Sequence, residues 1–261
     1  MNAPFIIDAH AHMGPAQAFE AHCRDLNAVL DLMDLLRIQT MVFSAMPLLE
    51  NDFETGHRLT LEAIERYPDR FRAYGVYNPH WPGPSMAHLE ELMPHPGFAG
   101  VKIHPAMHAM APDDPGYQDF WDFADARSLV VLSHTWSPDP AKPVQNLSVP
   151  DRMRAVLERY RQVRVILGHC GGRIEGMRQA VEMMNAFDHC YADLSGDCWE
   201  AGQLEWLCRQ VNPKQILFGT DLNWIEPRYV YGHVLMAGLP EATRLDVLRN
   251  NALRLFGWET A

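Results

Sequence analysis

The chain has 261 residues, of which 48% are hydrophobic and 21% are charged, and this composition excludes disordered and collagen-like proteins. Its 33 acidic residues outnumber its 22 basic residues and give a formal net charge of -11, so its surface is poorly suited to neutralise the phosphates of nucleic acid. No apolar run approaches the roughly 18 residues that cross a bilayer, so we expect no membrane partner either.

Short apolar runs alternate with longer amphipathic runs along the whole chain. The predicted strands cover residues 5–9, 40–45, 72–77, 100–104, 129–133, 163–168, 189–194 and 215–219. The predicted helices cover residues 16–37, 52–67, 84–93, 117–127, 149–161, 172–187, 200–209, 226–237 and, as an extra C-terminal helix, 240–256. This alternation favours an α/β fold with a parallel sheet, and the strand number and chain length favour a single (β/α)8 barrel domain over residues 1–261. Pro-rich segments at 80–84 and 137–150 are predicted to be loops at the rim of that barrel.

The cysteines and the first residues of the chain indicate the cellular compartment of the protein. The first twelve residues, MNAPFIIDAHAH, have neither the basic segment nor the long apolar run of a signal peptide. The five cysteines are odd in number and form no C-x-x-C motif, which is typical of reduced thiols. We therefore expect a cytoplasmic protein.

Histidines, a lysine and carboxylates stand where the predicted strands end. They are Asp8, His10 and His12 at the first strand, Lys102 and His104 at the fourth, His134 after the fifth, His169 after the sixth, Asp193 at the seventh and Asp221 after the eighth. The carboxyl ends of barrel strands meet at one rim, where catalytic groups are carried. These residues are therefore predicted to surround one axis.

The spacing of four of these residues predicts a metal site. Residues i and i+2 of a strand point to the same face, so His10 and His12 form a chelating pair. With His134 and Asp221 they offer three imidazole nitrogens and a carboxylate oxygen and leave room for water, as in a catalytic site for Zn²⁺ or a similar cation. Such a metal activates water and polarises a carbonyl group. The pair alone is weak evidence, because neighbouring histidines on a strand are also common as hydrogen-bonded structural residues.

The ordered motifs IIDAHAHMG, GVKIHP, VVLSHT, VILGHCGG and ILFGTD, with the closing NALRLFGW, resemble the amidohydrolase superfamily. They are most similar to the amidohydrolase-related branch that includes aminocarboxymuconate-semialdehyde decarboxylase, aromatic-acid decarboxylases and many hydrolases. The resemblance covers the whole chain and implies a distorted (β/α)8 TIM barrel with one divalent metal ion, usually zinc. It implies His10, His12, His134 and Asp221 as metal ligands, Asp221 also as a proton carrier, and His169 as the catalytic base or electrophile.

Lys102 stands on the predicted fourth strand, with His104 on the same face as a further candidate for substrate binding. Some superfamily members hold a second metal with a carboxylated lysine on this strand, but the favoured role for Lys102 is a plain ammonium that binds a substrate carboxylate. The third alternative is an internal lysine paired with Asp193 or a backbone carbonyl. Arg173 and Arg228, near predicted strand ends, are further candidates for binding a carboxylate.

These residues predict a metal-dependent hydrolase that uses activated water on a small amide, lactone or ester bearing a carboxylate. The main alternative is a cofactor-free, metal-dependent decarboxylase or hydratase of an unsaturated or aromatic acid, although the better-known decarboxylases of the branch are longer. A non-catalytic ligand-binding barrel is the alternative from another class, and the intact metal motifs argue against it. We expect a small-molecule substrate and a homodimer, the commonest soluble oligomer.

Overall fold

Eight short apolar segments form parallel strands in the computed structural model, which describes residues 5–17, 25–196 and 199–258. The strands are β1 (Ile6–Met13), β2 (Ile38–Ala45), β3 (Phe71–Val76), β4 (Phe98–Ile103), β5 (Val130–His134), β6 (Arg164–Gly168), β7 (Cys190–Asp193) and β8 (Ile216–Leu217). Each strand pairs with the next in chain order, within one eight-stranded sheet. This is the strand order of a (β/α)8 barrel, as predicted.

Helices connect the strands, because parallel neighbours need a crossover that carries the chain back to the same end of the sheet. They are α1 (Leu26–Leu36), α2 (Met46–Leu49), α3 (Phe53–Arg66), α4 (Pro82–Leu92), α5 (Gln118–Ala126), α6 (Arg154–Arg159), α7 (Ile174–Ala186), α8 (Gln203–Gln210), α9 (Pro227–Met236), α10 (Glu241–Leu245) and α11 (Asn251–Phe256). A π-helical turn, Asp246–Asn250, joins the last two. Within the described ranges, no helix has the length and apolar character to cross a membrane.

The barrel closes between β1 and β8 through a few backbone hydrogen bonds. The amide of Ala9 donates to the carbonyl of Phe218 at 2.9 Å. The amides of Thr220 and Asp221 both donate to the carbonyl of His10, at 3.1 and 2.8 Å. Since β8 is only two residues long, most of this seam is made by the segment that follows it. The barrel is therefore distorted at the point where its two ends meet.

Two apolar layers hold the barrel together. Inside it lies a small cluster that includes Ile7, Val42, Tyr74, Leu132, Ile166 and Leu217, and α11 adds Ala252, Leu253 and Leu255 to it. Arg164, the first residue of β6, donates from Nη1 to the carbonyl of Leu255 at 2.5 Å, so α11 lies at the amino-terminal ends of the strands. A larger cluster packs between the sheet and the outer helices. Because α11 covers one end, the carboxyl ends of the strands are left for the site.

The structure differs from the sequence prediction at several boundaries. β1 extends to Met13 instead of ending at residue 9, because its backbone continues to pair with β2 after the side chains become polar. The helix predicted over 16–37 begins at Leu26 in the structure, where the side chain of Asp25 accepts from the amide of Ala28, and residues 18–24 lie outside the described ranges. The helix predicted over 149–161 is shortened to α6, because Pro150 starts a 3-10 turn first.

Candidate active site

The carboxyl ends of the strands bring the predicted site residues together. His10, His12 and Asp8 lie on β1, and Lys102 lies on β4. His134 and Asp193 end β5 and β7, while His169 and Asp221 follow β6 and β8. All eight side chains are buried, with less than a tenth of each residue exposed. The site therefore depends on the barrel, since no short stretch of the chain contains it.

Three of these residues form a group that could hold a metal ion. Oδ1 of Asp221 lies 3.1 Å from Nε2 of His12 and 3.7 Å from Nε2 of His10. One ligand atom from each of the three residues lies within 4.8 Å of the others. Two imidazole nitrogens and one carboxylate oxygen suit Zn²⁺, Mn²⁺ or a similar divalent cation. The residues present therefore fit the metal that the resemblance implies.

The two histidines are oriented by partners on their far ring nitrogens. Nδ1 of His10 donates to Oδ2 of Asp193 at 2.9 Å, which leaves the lone pair of Nε2 facing the candidate metal position. Nδ1 of His12 lies 2.9 Å from the hydroxyl of Ser44 on β2. Such partners fix the tautomer and the ring plane of metal-binding histidines. Ser44 is the last residue but one of β2, and the strand-end pattern of histidines, lysine and carboxylates gives no signal for a hydroxyl residue, so sequence reasoning missed it.

Ser195 is a second residue that the sequence analysis missed. Its hydroxyl lies 2.5 Å from Oδ1 of Asp193, 2.8 Å from Nδ1 of His169 and 3.0 Å from Nδ1 of His10. The side chain is fully buried. Ser195 stands two residues after Asp193, and this spacing at the end of a strand was the available signal, because it places both side chains on one face.

His134 and His169 contact each other. Nδ1 of His134 lies 3.1 Å from Nε2 of His169, and Nε2 of His134 lies 3.2 Å from Oε1 of Gln145. The structure does not include His134 in the group of His10, His12 and Asp221. His169 belongs to a second cluster of ligand atoms with His10 and Asp193. As a fourth metal ligand, His134 would therefore have to exchange one of these two contacts for the ion.

Two of the site residues have left-handed backbone. The φ angle is 60° at His169 and 59° at Asp221. For residues other than glycine, this conformation costs about 1–3 kcal/mol and persists where the surroundings enforce it. The amide of His169 donates to Oδ1 of Asp193 at 3.1 Å, and the amide of Asp221 donates to the carbonyl of His10. Backbone strain is thus held at the two positions proposed for proton transfer.

Lys102 and His104 both face the site, as their shared parity on β4 predicts. Nζ of Lys102 lies 2.8 Å from Nε2 of His10, and the residue is 1% exposed. Among the described residues, neither a carboxylate nor a backbone carbonyl makes the internal pair that was one alternative for Lys102. His104 stacks on His134 with 4.0 Å between ring centroids and 12° between the planes.

Burial and opposite charges shift the protonation equilibria of the site. Burial raises the pKa of Asp8 to about 7, and it lowers the pKa of Lys102 to about 8. Burial, followed by the charge of Lys102, lowers the pKa of His10 to about 3. Burial opposes the charge of Asp193, but His10, His169 and Ser195 together outweigh burial and hold the pKa of that carboxyl well below its usual range. His10 is thus neutral and Asp193 ionised, which is the state that offers a lone pair at Nε2.

A cavity of about 500 Å³ opens above these residues. Its floor includes His12, Lys102 and Asp221, and its walls include Met46, Leu49, His104, His134, Trp136, Val144, Gln145, Trp224 and Ile225. Lys142 and Arg173 are exposed at its rim. The Pro-rich segment 137–150 lines this cavity as predicted, whereas Pro82 of the other segment already begins α4.

Arg228 lies outside this cavity. It makes a bidentate pair with Glu226, with both nitrogen–oxygen distances 2.7 Å, and lines a separate groove beside α1. The structure thus places Arg173, but not Arg228, at the cavity. A carboxylate clamp by Arg228 would require the ion pair with Glu226 to break.

Three known proteins illustrate what the chain resembles. In an alignment 294 positions long, it is 22% identical to gamma-resorcylate decarboxylase of Rhodococcus jostii (strain RHA1), and the alignment covers 91% of this chain and 89% of that protein. The structure resembles 2,6-dihydroxybenzoate decarboxylase from Rhizobium with a TM-score of 0.79 at 18% identity, covering 98% and 99% of the two chains. It also resembles dihydroxybenzoic acid decarboxylase from Polaromonas sp. JS666, with bound manganese and the inhibitor 2-nitroresorcinol, with a TM-score of 0.78 at 20% identity, covering 99% and 98%. At these identities the two structural likenesses establish the fold.

The family assignment comes from the sequence as a whole. The sequence model of the amidohydrolase family matches residues 7–258, which include every site residue described above. The match agrees with the resemblance carried by the strand-end motifs. The chain therefore belongs to the amidohydrolase family.

Proposed function

We propose that the protein is a metal-dependent decarboxylase of a small aromatic acid. The observation that carries the proposal is the composition of the cavity, in which a buried ammonium and a candidate metal site lie beneath flat rings. Lys102, His12 and Asp221 lie on the floor, and His10 lies behind them in contact with Nζ of Lys102. The ring of His134 is nearly parallel to that of Trp136, at 7° and with 6.3 Å between centroids, and His104 extends the stack. A planar acid fits against these rings with its carboxylate toward the cations.

The relatives support this reaction over the hydrolysis expected from the sequence. All three proteins described above are decarboxylases by name, one of gamma-resorcylate and two of dihydroxybenzoic acids. The alignments span nearly the full length of each, so the shorter chain does not argue against decarboxylation here. A hydrolase would use the same metal ligands, and the site chemistry alone therefore does not separate the two reactions.

In the proposed reaction the ring carbon that bears the carboxylate takes a proton, and the carbon–carbon bond then breaks to release CO₂. Lys102 binds and orients the acid through its ammonium. His169 or Asp221 holds the proton that the ring carbon takes, while Asp193 and Ser195 keep His169 in place. A bound divalent ion supplies a Lewis acid that polarises an oxygen of the substrate.

We propose one ion per chain, held by His10, His12 and Asp221 with His134 as a fourth ligand. Zinc was the expectation from the sequence, and manganese is equally compatible with imidazole and carboxylate donors, as the Polaromonas protein illustrates. We propose that Lys102 is an unmodified amine, because its Nζ contacts His10 directly. Reconstitution of chelator-treated protein with each metal, followed by stoichiometry and activity measurements, distinguishes the two ions.

We also propose a cytoplasmic homodimer. The expectation of reduced thiols supports the compartment, and the described cysteines Cys190 and Cys208 form no disulfide. The general prevalence of two-fold symmetric dimers supports the assembly. A single sedimenting species at the mass of one chain would contradict the dimer.

The reaction is tested by incubating the metal-loaded protein with 2,6-dihydroxybenzoate and related hydroxybenzoates in D₂O. We expect CO₂ release and a product that carries deuterium at the vacated ring carbon. A parallel panel of amides, lactones and esters tests hydrolysis. Turnover in that panel, with water gained and no CO₂ released from the acids, would overturn the proposal.

A further inference from the structure

Lys102 occupies an unusual place for a lysine. It is 1% exposed, and its ammonium nitrogen lies 2.8 Å from Nε2 of His10. No carboxylate of the described residues lies within 4.0 Å of that nitrogen, so the contact with His10 is its closest polar interaction. Asp221 and Asp193 attract the ammonium from beyond this distance, but burial outweighs both and makes the charged form unfavourable. This setting indicates a role for Lys102 other than stabilising the fold.

The contact uses the atom that a metal ion would need. His10 carries its proton on Nδ1, which donates to Asp193, so Nε2 presents a single lone pair. The ammonium of Lys102 donates to that lone pair. A divalent ion held with His12 and Asp221 would bind the same lone pair. The ammonium and the ion therefore exclude each other at Nε2 of His10.

Lys102 also reaches the cavity, whose floor it forms with His12 and Asp221. When its ammonium group no longer contacts His10, the side chain of Lys102 can extend into this cavity. Two cations confined side by side in a buried site repel each other strongly, because little water screens them. An anion that enters the cavity and contacts both relieves the repulsion.

We propose that Lys102 competes with the divalent metal for His10 and, when displaced by it, becomes the binding group for the anionic part of the substrate. Metal loading thereby creates the anion site. The proposed function is required only for the identity of that anion as an aromatic carboxylate. The competition itself concerns the chain and the ion alone.

The test compares three variants with the parent protein after removal of bound metal with a chelator. Lys102→Met keeps the length of the side chain and removes the charge, and Lys102→Gln is a second, polar replacement. Lys214→Met is the matched control, because Lys214 is an exposed lysine in the 3-10 turn before β8 and lies outside the cavity. Calorimetry measures Mn²⁺ binding to each metal-free protein. A second titration measures benzoate binding to each Mn²⁺-loaded protein.

We expect both Lys102 variants to bind Mn²⁺ at least about tenfold more tightly than the parent and to bind benzoate at least about tenfold more weakly, each change equivalent to about 1.4 kcal/mol. Lys214→Met should change neither affinity. Unchanged or weaker Mn²⁺ binding in cooperatively melting Lys102 variants would overturn the competition. Unchanged benzoate binding would overturn the anion site. Neither titration needs turnover, so both results stand even if the protein releases no CO₂.

Discussion

The hydroxyl of Ser195 lies 2.8 Å from Nδ1 of His169, and both residues also contact Asp193. We expect Ser195→Ala to lower kcat by about threefold to tenfold, the effect of losing one hydrogen bond worth ~1 kcal/mol. Metal content should not change, since His10 keeps its bond to Asp193. The control is Ser133→Ala, another buried serine, whose hydroxyl donates to the carbonyl of His134. Equal losses of kcat in the two variants would show that the hydrogen bond from Ser195 to His169 does not contribute specifically to catalysis.

The proposed roles of His134 and His169 differ, although the two rings touch. We expect His169→Asn to retain its metal and to lose about 10²–10⁴-fold in kcat, the usual effect of removing a general acid–base group. His134→Asn should lose metal affinity first, and excess metal should restore part of its activity. Metal analysis and kcat of both variants decide the assignment. Full metal occupancy in His134→Asn would limit the ligand set to His10, His12 and Asp221.

His10 and His12 should differ in their effect on stability. His10→Ala leaves the fully buried carboxylate of Asp193 without the hydrogen bond from Nδ1 of His10, and losing a hydrogen bond to a charged group costs about 1.5–3 kcal/mol. His12→Ala should cost less, because Asp221 lines the cavity, where water can hydrate its carboxylate, whereas Asp193 is fully buried away from it. Both variants should bind metal poorly. Urea unfolding of the metal-free proteins provides the comparison, and equal unfolding free energies would contradict the special burial of the His10–Asp193 pair.

A histidine outside the site should make the fold sensitive to acid. His88 on α4 is 4% exposed, its Nδ1 lies 2.7 Å from Nδ1 of His57, and burial and then His57 lower its pKa from 6.5 to about 3. The unfolded chain takes up a proton at this residue below about pH 6.5, whereas the folded chain does not until about pH 3. Stability is therefore expected to fall as the pH falls through this window, by up to about 1.4 kcal/mol per pH unit from this residue.

The variant His88→Leu isolates this contribution, because leucine is apolar and does not titrate. Its unfolding free energy should depend less on pH between 6 and 4 than that of the parent protein. Urea unfolding at several pH values measures both slopes. Identical slopes would show that His88 takes up its proton equally in the folded and unfolded chains.

The sequence predicts those features of the site that depend on the regular geometry of strands. The strand ends locate His134, His169 and Asp221, and the two-residue period places Lys102 and His104 on one face. These relationships hold because a barrel brings all carboxyl ends of its strands to one rim.

Other features depend on contacts that have no periodic signature. Gln145 reaches His134 from an irregular segment, so its position depends on how that segment packs. Ser44 and Ser195 are small hydroxyl residues, and their role depends on hydrogen bonds to the histidine rings beside them in the folded structure. Arg228 has a suitable charge and stands near a predicted strand end, but in the structure it lies outside the cavity and pairs with Glu226. Side-chain pairing of this kind is decided by the folded structure.

The seam of the barrel has a consequence for folding as well as for chemistry. His10 and His12 belong to the first strand, while Asp221 follows the last, so an ion bound by all three would fasten the two ends of the chain to each other. Any ligand that binds only the folded form adds to its stability by mass action. Without the ion, amide exchange should begin at Ala9 and Thr220, whose hydrogen bonds close the ring. Loss of the ion would thus make the junction between the first and last strands the first part of the barrel to open.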